Sequence, residues 1–148
     1  MCNNDNKKFM SDAIAIASYS RDPSTKVGSI IVDGLNKIIS RAYNDLPVGA
    51  DSSIKSRFNK NIKLYYLEHA ERSAIYFCAN NGISTKNTTM YVTLYPCIDC
   101  ARAIIQSGIK RVVCTKPNFS DEKWGESWRI AEELFNECGI EVEYINQS

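Results

Sequence analysis

His69 is the only histidine in the chain, and further along stands Pro96-Cys97-Ile98-Asp99-Cys100. The run from one to the other reads HAERSAIYFCANNGISTKNTTMYVTLYPCIDC. A fold that uses these groups together must bring the segment entering Ala70 and the segment entering Ile98 to one point. One imidazole and two thiols are good ligands for zinc, and three protein ligands leave one tetrahedral position open, as in a catalytic rather than a closed structural site. Glu71 adds a carboxylate able to carry protons beside such a metal.

The rest of the chain supplies a frame for that convergence. Apolar Phe9, Met10, Ala13, Ile14 and Ala17 recur at three- and four-residue intervals and predict a helix over 9–20 with one buried face, with fraying before Lys7. Arg21-Asp22-Pro23-Ser24 ends it. VGSIIVDGLNKIIS predicts strands over 27–32 and 35–40 around a tight Asp33-Gly34 turn. The stretch AYNDLPVGADSS then breaks the pattern into a loop, a place where binding residues commonly emerge. Residues 54–67 carry Lys55, Arg57, Lys60 and Lys63 among aromatic and aliphatic residues. They read either as a solvated cover on the domain or as a phosphate or subunit contact.

Residues 68–80 predict a helix ending before Gly82, with Ala70, Ala74, Ile75, Phe77 and Cys78 placing it beneath a sheet. A strand over 90–94, a helix over 97–107 stopped by Gly108, a strand over 109–114, a helix over 122–138 and a strand over 140–145 follow. This order predicts an α/β fold, a single three-layer domain over 7–146 with a mixed five-stranded sheet. The connection from the 90–94 strand to the 109–114 strand suits a right-handed parallel crossover. The cysteine helix then starts at the carboxyl end of a strand, where α/β proteins build sites.

Composition excludes several functions. Lys and Arg total 18 against 17 Asp and Glu, a formal charge of +1, which leaves no basic tail or extended groove for a polynucleotide. A local cluster can still hold a small anion. No apolar run reaches the length of a membrane span, and MCNNDNKKFM lacks the apolar core of a signal peptide, so a soluble cytoplasmic protein is expected. Cys2, Cys78, Cys114 and Cys138 show no close pairing and read as reduced thiols.

Cys97 and Cys100 lie three apart and share one face of a helix, near an N-terminus whose unsatisfied N–H groups favour thiolates. Two thiolates and a neutral imidazole balance the charge of Zn2+. Pro96 fixes φ at the entry to that helix without needing an amide donor. The alternative is a closed zinc knuckle that recruits a distant thiol such as Cys114. Trp124 and Trp128, four apart in a predicted helix, could stack on a ligand, although apolar packing is the commoner use of such a pair.

The pattern H-x-E followed by P-C-x-x-C is that of zinc-dependent nucleobase deaminases. With DPSTKVG at 22–28, AYNDLPVGADSS at 42–53, EHAERSAIY at 68–76 and MYVTLYPCIDCARAIIQSGIKRVV at 90–113, the chain resembles the cytidine/deoxycytidylate deaminase superfamily, closest to the deoxycytidylate deaminases. The resemblance implies a cytidine-deaminase-like fold and hydrolysis of dCMP to dUMP and ammonia. Zinc is then held by His69, Cys97 and Cys100, and Glu71 is the catalytic proton shuttle. Deamination of cytidine, deoxycytidine or free cytosine is the alternative, and a nucleic-acid deaminase is a more distant one.

By the same resemblance Ser24, Thr25, Lys26, Asn44, Ala70 and Pro96 form the substrate-binding set, Lys26 approaching the 5′ phosphate. Arg41, Gly49, Asp51 and Arg57 fall where the family carries effector or subunit contacts. Homo-oligomers, commonly hexamers, and dCTP or dTTP effectors, a triphosphate bringing Mg2+ with it, belong to the same implication. The chain departs from the family at Tyr43-Asn44-Asp45, where Tyr-Asn-Gly is usual and Asp45 bears on the turn and on a triphosphate. It also has no further histidine for the second, structural zinc of some relatives.

Overall fold

Gly28-Ser29-Ile30-Ile31-Val32 is buried at every position, the mark of a strand covered on both faces. The computed structural model describes residues 3–146. Its elements are α1 (Asn3–Ala17), β1 (Gly28–Val32), β2 (Ile38–Tyr43), a 3-10 turn (Lys55–Phe58), α2 (Lys63–Tyr66), α3 (Ala70–Asn80), β3 (Thr89–Val92), α4 (Ile98–Gln106), β4 (Arg111–Cys114), α5 (Gly125–Glu137) and β5 (Glu141–Tyr144). The sheet runs β2-β1-β3-β4-β5. β1 is antiparallel to β2 and β3, and β3, β4 and β5 are parallel, which is the mixed five-stranded arrangement expected.

Helices cover both faces. On one, Phe9, Met10 and Ala13 of α1 pack against Ile30, Val32, Tyr91 and Val113. On the other, residues of α3, α4 and α5 share a core with Ile31, Val92 and Val112. α1 lies so close over β1 that a Cβ on Gly28 would come within 2.0 Å of the Ala13 carbonyl oxygen and 2.7 Å of the Ala17 nitrogen. Glycine is required there by the neighbouring backbone.

Several boundaries differ from expectation. Met1 and Cys2, part of the expected frayed start and thiol set, lie outside the described residues. From Asn3 onward the chain is helical, because buried Asn6 donates to Glu143 at 2.9 Å and accepts from the Tyr91 hydroxyl at 2.8 Å. Ile14, assigned to the buried face, is 36% exposed; the face runs through Asn6 instead. The hairpin turn is longer than an Asp-Gly dipeptide. The Asp33 carboxylate accepts the amides of Leu35 and Lys37, and Asn36 takes the left-handed conformation at φ 60°, so β2 begins only at Ile38.

On α3 the buried positions are Ala70, Glu71, Ala74 and Cys78, whereas Phe77 is exposed. Four-residue steps from Ala70 face the sheet and Phe77 falls off that face. Residues 54–67 form only the 3-10 turn and the single-turn α2, without a buried residue in either. Among the described residues no helix is long and apolar enough to cross a membrane.

Candidate active site

The carboxyl end of β3, the start of β1 and the N-termini of α3 and α4 meet at one edge of the sheet. Thr93 N–H bonds the Gly28 carbonyl at 3.1 Å, and Gly28 N–H returns a bond to Thr93 Oγ1 at 3.1 Å. From there Leu94-Tyr95-Pro96 leads into α4. An isolated bridge between Asp45 and Glu68 pins the chain immediately before His69. His69 and Cys97 are themselves the N-cap residues of α3 and α4, both extended, so their side chains turn inward at the helix starts.

His69 Nδ1 lies 3.5 Å from Cys97 Sγ and 3.4 Å from Cys100 Sγ. The ligand atoms of the three residues all fall within 4.8 Å of one another. A tetrahedral zinc with Zn–S of about 2.3 Å and Zn–N of about 2.0–2.1 Å separates its nitrogen and sulfur ligands by roughly 3.5 Å. The triad thus fits zinc in both donor type and spacing. Among the described residues no fourth His, Cys, Asp or Glu joins the group, Cys114 included, so the knuckle alternative lacks its closing ligand.

Charge at the site is arranged for anionic sulfur. Without metal, a hydrogen bond from Cys100 and a further one from His69 bring Cys97 down to about 4, and the same bond together with burial pushes Cys100 up. His69 is raised chiefly by its bond to Cys97. Burial raises Glu71, with the His69 charge opposing it. Burial would lower Arg72, but Cys100 and Glu68 keep it charged and raise it. The Glu68 carboxylate accepts Arg72 Nε at 2.6 Å and His69 N–H at 2.9 Å, locking the turn into α3.

A cleft of about 360 Å³ opens over these groups, lined by His69, Ala70, Glu71 and Cys97. Ser24, Thr25 and Asn44 line it too. Asn44 is held rigidly: its Oδ1 accepts Val27 N–H at 2.8 Å and its Nδ2 donates to the Thr25 carbonyl at 2.8 Å. Lys26 is exposed and is not among the lining residues; nor is buried Pro96. Arg41, Gly49, Asp51 and Arg57 also lie away from the cleft. Arg57 instead packs its guanidinium 4.9 Å from the Tyr66 ring centroid, and Asp45 is bidentate to Arg21, with its shorter contact 2.7 Å.

The lysine that does face this part of the cleft is Lys63, whose Nζ donates to Asp22 Oδ1 at 2.8 Å and Ser24 Oγ at 2.5 Å. Asp22 also accepts the Ser24 and Thr25 amides at 2.9 and 3.1 Å. Sequence reasoning grouped Lys63 with its basic neighbours and passed over Asp22 and Arg72. The turn-forming Asp-Pro-Ser-Thr run was the available signal for Asp22.

The described geometry agrees with comparisons to known proteins. Residues 3–116 match the family model for the cytidine and deoxycytidylate deaminase zinc-binding region. The chain belongs to this family. Over 142 residues it is 34% identical to an uncharacterized deaminase in the luxG 3′ region of Aliivibrio fischeri, covering 94% of this chain and 92% of that one. Over 137 residues it is 36% identical to human (Homo sapiens) deoxycytidylate deaminase, covering 89% of this chain and 74% of the human one. The dCMP deaminase of cyanophage S-TIM5, solved in complex with dCMP and dUMP, shares the fold with a TM-score of 0.79 at 22% identity, over 98% of this chain and 99% of that one. The metal triad of this deaminase is thus built from residues that its family places in a zinc-binding region.

Proposed function

We propose that this zinc-dependent deaminase converts dCMP and water to dUMP and ammonia. The observation that carries the reading is one cleft lined by His69, Cys97 and buried Glu71, with fully buried Cys100 completing the triad, and lined also by Asn44, Ser24 and Lys63. Zinc, when held by the triad, supplies the Lewis acid that makes water nucleophilic near neutral pH. Glu71 accepts one proton as water adds to C4 of the cytosine ring and passes it to N3, then takes the second proton from the hydroxyl now on C4, as the C4=O bond forms, and delivers it to the departing amino group. The C4–N bond breaks and ammonia leaves. Sequestered from bulk water, Glu71 keeps the proton at the reacting atoms.

The monophosphate is selected away from the metal, and we assign that task to Lys63 in place of Lys26. Its ammonium, with Ser24 Oγ beside it, offers charged and neutral donors to a phosphate. A charge-assisted contact contributes roughly 1.5–3 kcal/mol, so dCMP should exceed deoxycytidine by on the order of tenfold or more in kcat/KM. Lys63→Met should remove most of that advantage and leave deoxycytidine turnover nearly unchanged, while Lys26→Ala should alter neither. Equal losses on both substrates in Lys63→Met would take Lys63 out of phosphate recognition. Product analysis across dCMP, CMP, deoxycytidine, dCTP and a cytosine-containing oligonucleotide tests the function itself; a preference for deoxycytidine would overturn the nucleotide assignment.

Exposed Leu64 and Tyr65, at 71% and 86%, together with family membership support a homo-oligomer. Light scattering that finds only monomer at fully active concentrations would reject it.

A further inference from the structure

Trp124 and Trp128 are the only tryptophans in the chain, both line the cleft, and the hydrolytic steps assigned to the triad and Glu71 leave them unused. Their rings stack with centroids 6.4 Å apart and planes 23° apart. The two have different surroundings. Trp128 is buried in the core, and its Nε1 donates to the Tyr95 carbonyl at 3.0 Å, two residues before Cys97. Ser127 Oγ accepts the Ile98 amide at 2.9 Å, one residue after Cys97. This end of α5 therefore braces the cysteine turn from both sides. Trp124 is the half-buried N-cap residue of α5, held by its own amide to Asp121 Oδ1 at 2.8 Å rather than by its ring.

We propose that Trp124 is the stacking platform for the pyrimidine ring, backed by Trp128, and that it sets how tightly the base is held against Glu71. The proposal rests on the reading that the cleft takes a cytosine nucleotide. A pyrimidine presents a flat π-face to any wall that holds it, and aromatic side chains match such a face whatever the base's hydrogen-bond pattern. Tyr95, which also lines the cleft, is fully buried and in edge or tilted contact with Phe119, Phe135 and Tyr144. Trp124 is the ring with room to receive a ligand. Lys123 holds its ammonium 5.2 Å from the Trp124 ring centroid. An arriving base exchanges that exposed cation–π contact for a stack, the stronger of the two interactions. Because Trp128 is fixed to the turn that carries Cys97, the platform is positioned relative to the metal triad by two hydrogen bonds and not by packing alone.

The chain's two tryptophans make the test direct. Titrating the zinc-loaded protein with dUMP, which is not turned over, should quench tryptophan emission saturably. In Trp124→Leu most of that quench should vanish and KM for dCMP should rise about tenfold, with a smaller fall in kcat. Trp124→Phe, which restores a π-face, should bring KM back to within about threefold of wild type. A Trp124→Leu protein with KM within twofold of wild type, or with the quench intact, overturns the proposal. So does a Trp124→Phe protein as impaired as Trp124→Leu, because a loss that an aromatic ring does not rescue is structural. Zinc-loaded wild type that deaminates no cytosine compound but shows the saturable quench would sink the deaminase reading and leave the platform standing.

Discussion

Glu71 is 4% exposed yet lines the cleft, a placement that suits a proton carrier and offers little as packing. Glu71→Gln keeps size and removes proton acceptance, so the variant should retain stoichiometric zinc and the wild-type fold while ammonia release falls by about 10²–10⁴-fold. Near-normal release with zinc bound would sink the assignment. Asp22 gives a separate, pH-dependent signal. Burial by itself would raise its carboxyl, but Lys63 and the Ser24 and Thr25 amides outweigh that and hold it below the ordinary value. A carboxyl with a depressed folded pKa contributes its stability in full above the unfolded value of about 3.9 and loses it as pH falls through the folded pKa. Urea titrations of wild type should show stability dropping in that acid window, and Asp22→Asn should flatten the drop. Superimposable pH curves for the two proteins would exclude the carboxylate as its source.

The elements meet at positions where size is constrained unevenly. At Gly28 an added methyl would overlap backbone atoms of α1, which cannot rotate aside. At Gly34 nothing lies within 4 Å of the same methyl. Gly28→Ala should therefore lose more than about 2 kcal/mol in denaturant unfolding, through overpacking, while Gly34→Ala should stay within about 0.5 kcal/mol. Equal stabilities would mean that α1 does not press on β1 as described. The hairpin illustrates why local signals gave the strands but not their ends. Asp33-Gly34 correctly marked a reversal, yet the Asp33 carboxylate chose a longer loop by accepting two amides beyond Gly34. Such a choice depends on side-chain hydrogen bonds in three dimensions, and dipeptide preference is silent about them.

At the scale of the whole molecule, the metal triad spans the starts of α3 and α4, so zinc held there would join two segments that unfolding separates. Metal that binds the folded state at about 1,000 times its Kd adds about 4 kcal/mol of stability. Chelation should accordingly lower the calorimetric midpoint, and zinc, but not magnesium, should restore it; an unchanged midpoint after verified zinc removal would show that the triad does not hold the fold together. The sequence by itself determined the α/β alternation, the parallel crossover and the metal triad, because hydrophobic period and ligand spacing are local properties that survive in any fold consistent with them. Only the tertiary structure decided that Lys63 and not Lys26 faces the cleft, that Asn6 and not Ile14 completes the buried face of α1, and that the two tryptophans line the same cleft as His69, Glu71 and Cys97. Each of those outcomes depends on which distant segments meet, and the sheet order that brings β1, β3 and α5 to one edge is set by packing between residues far apart in the chain.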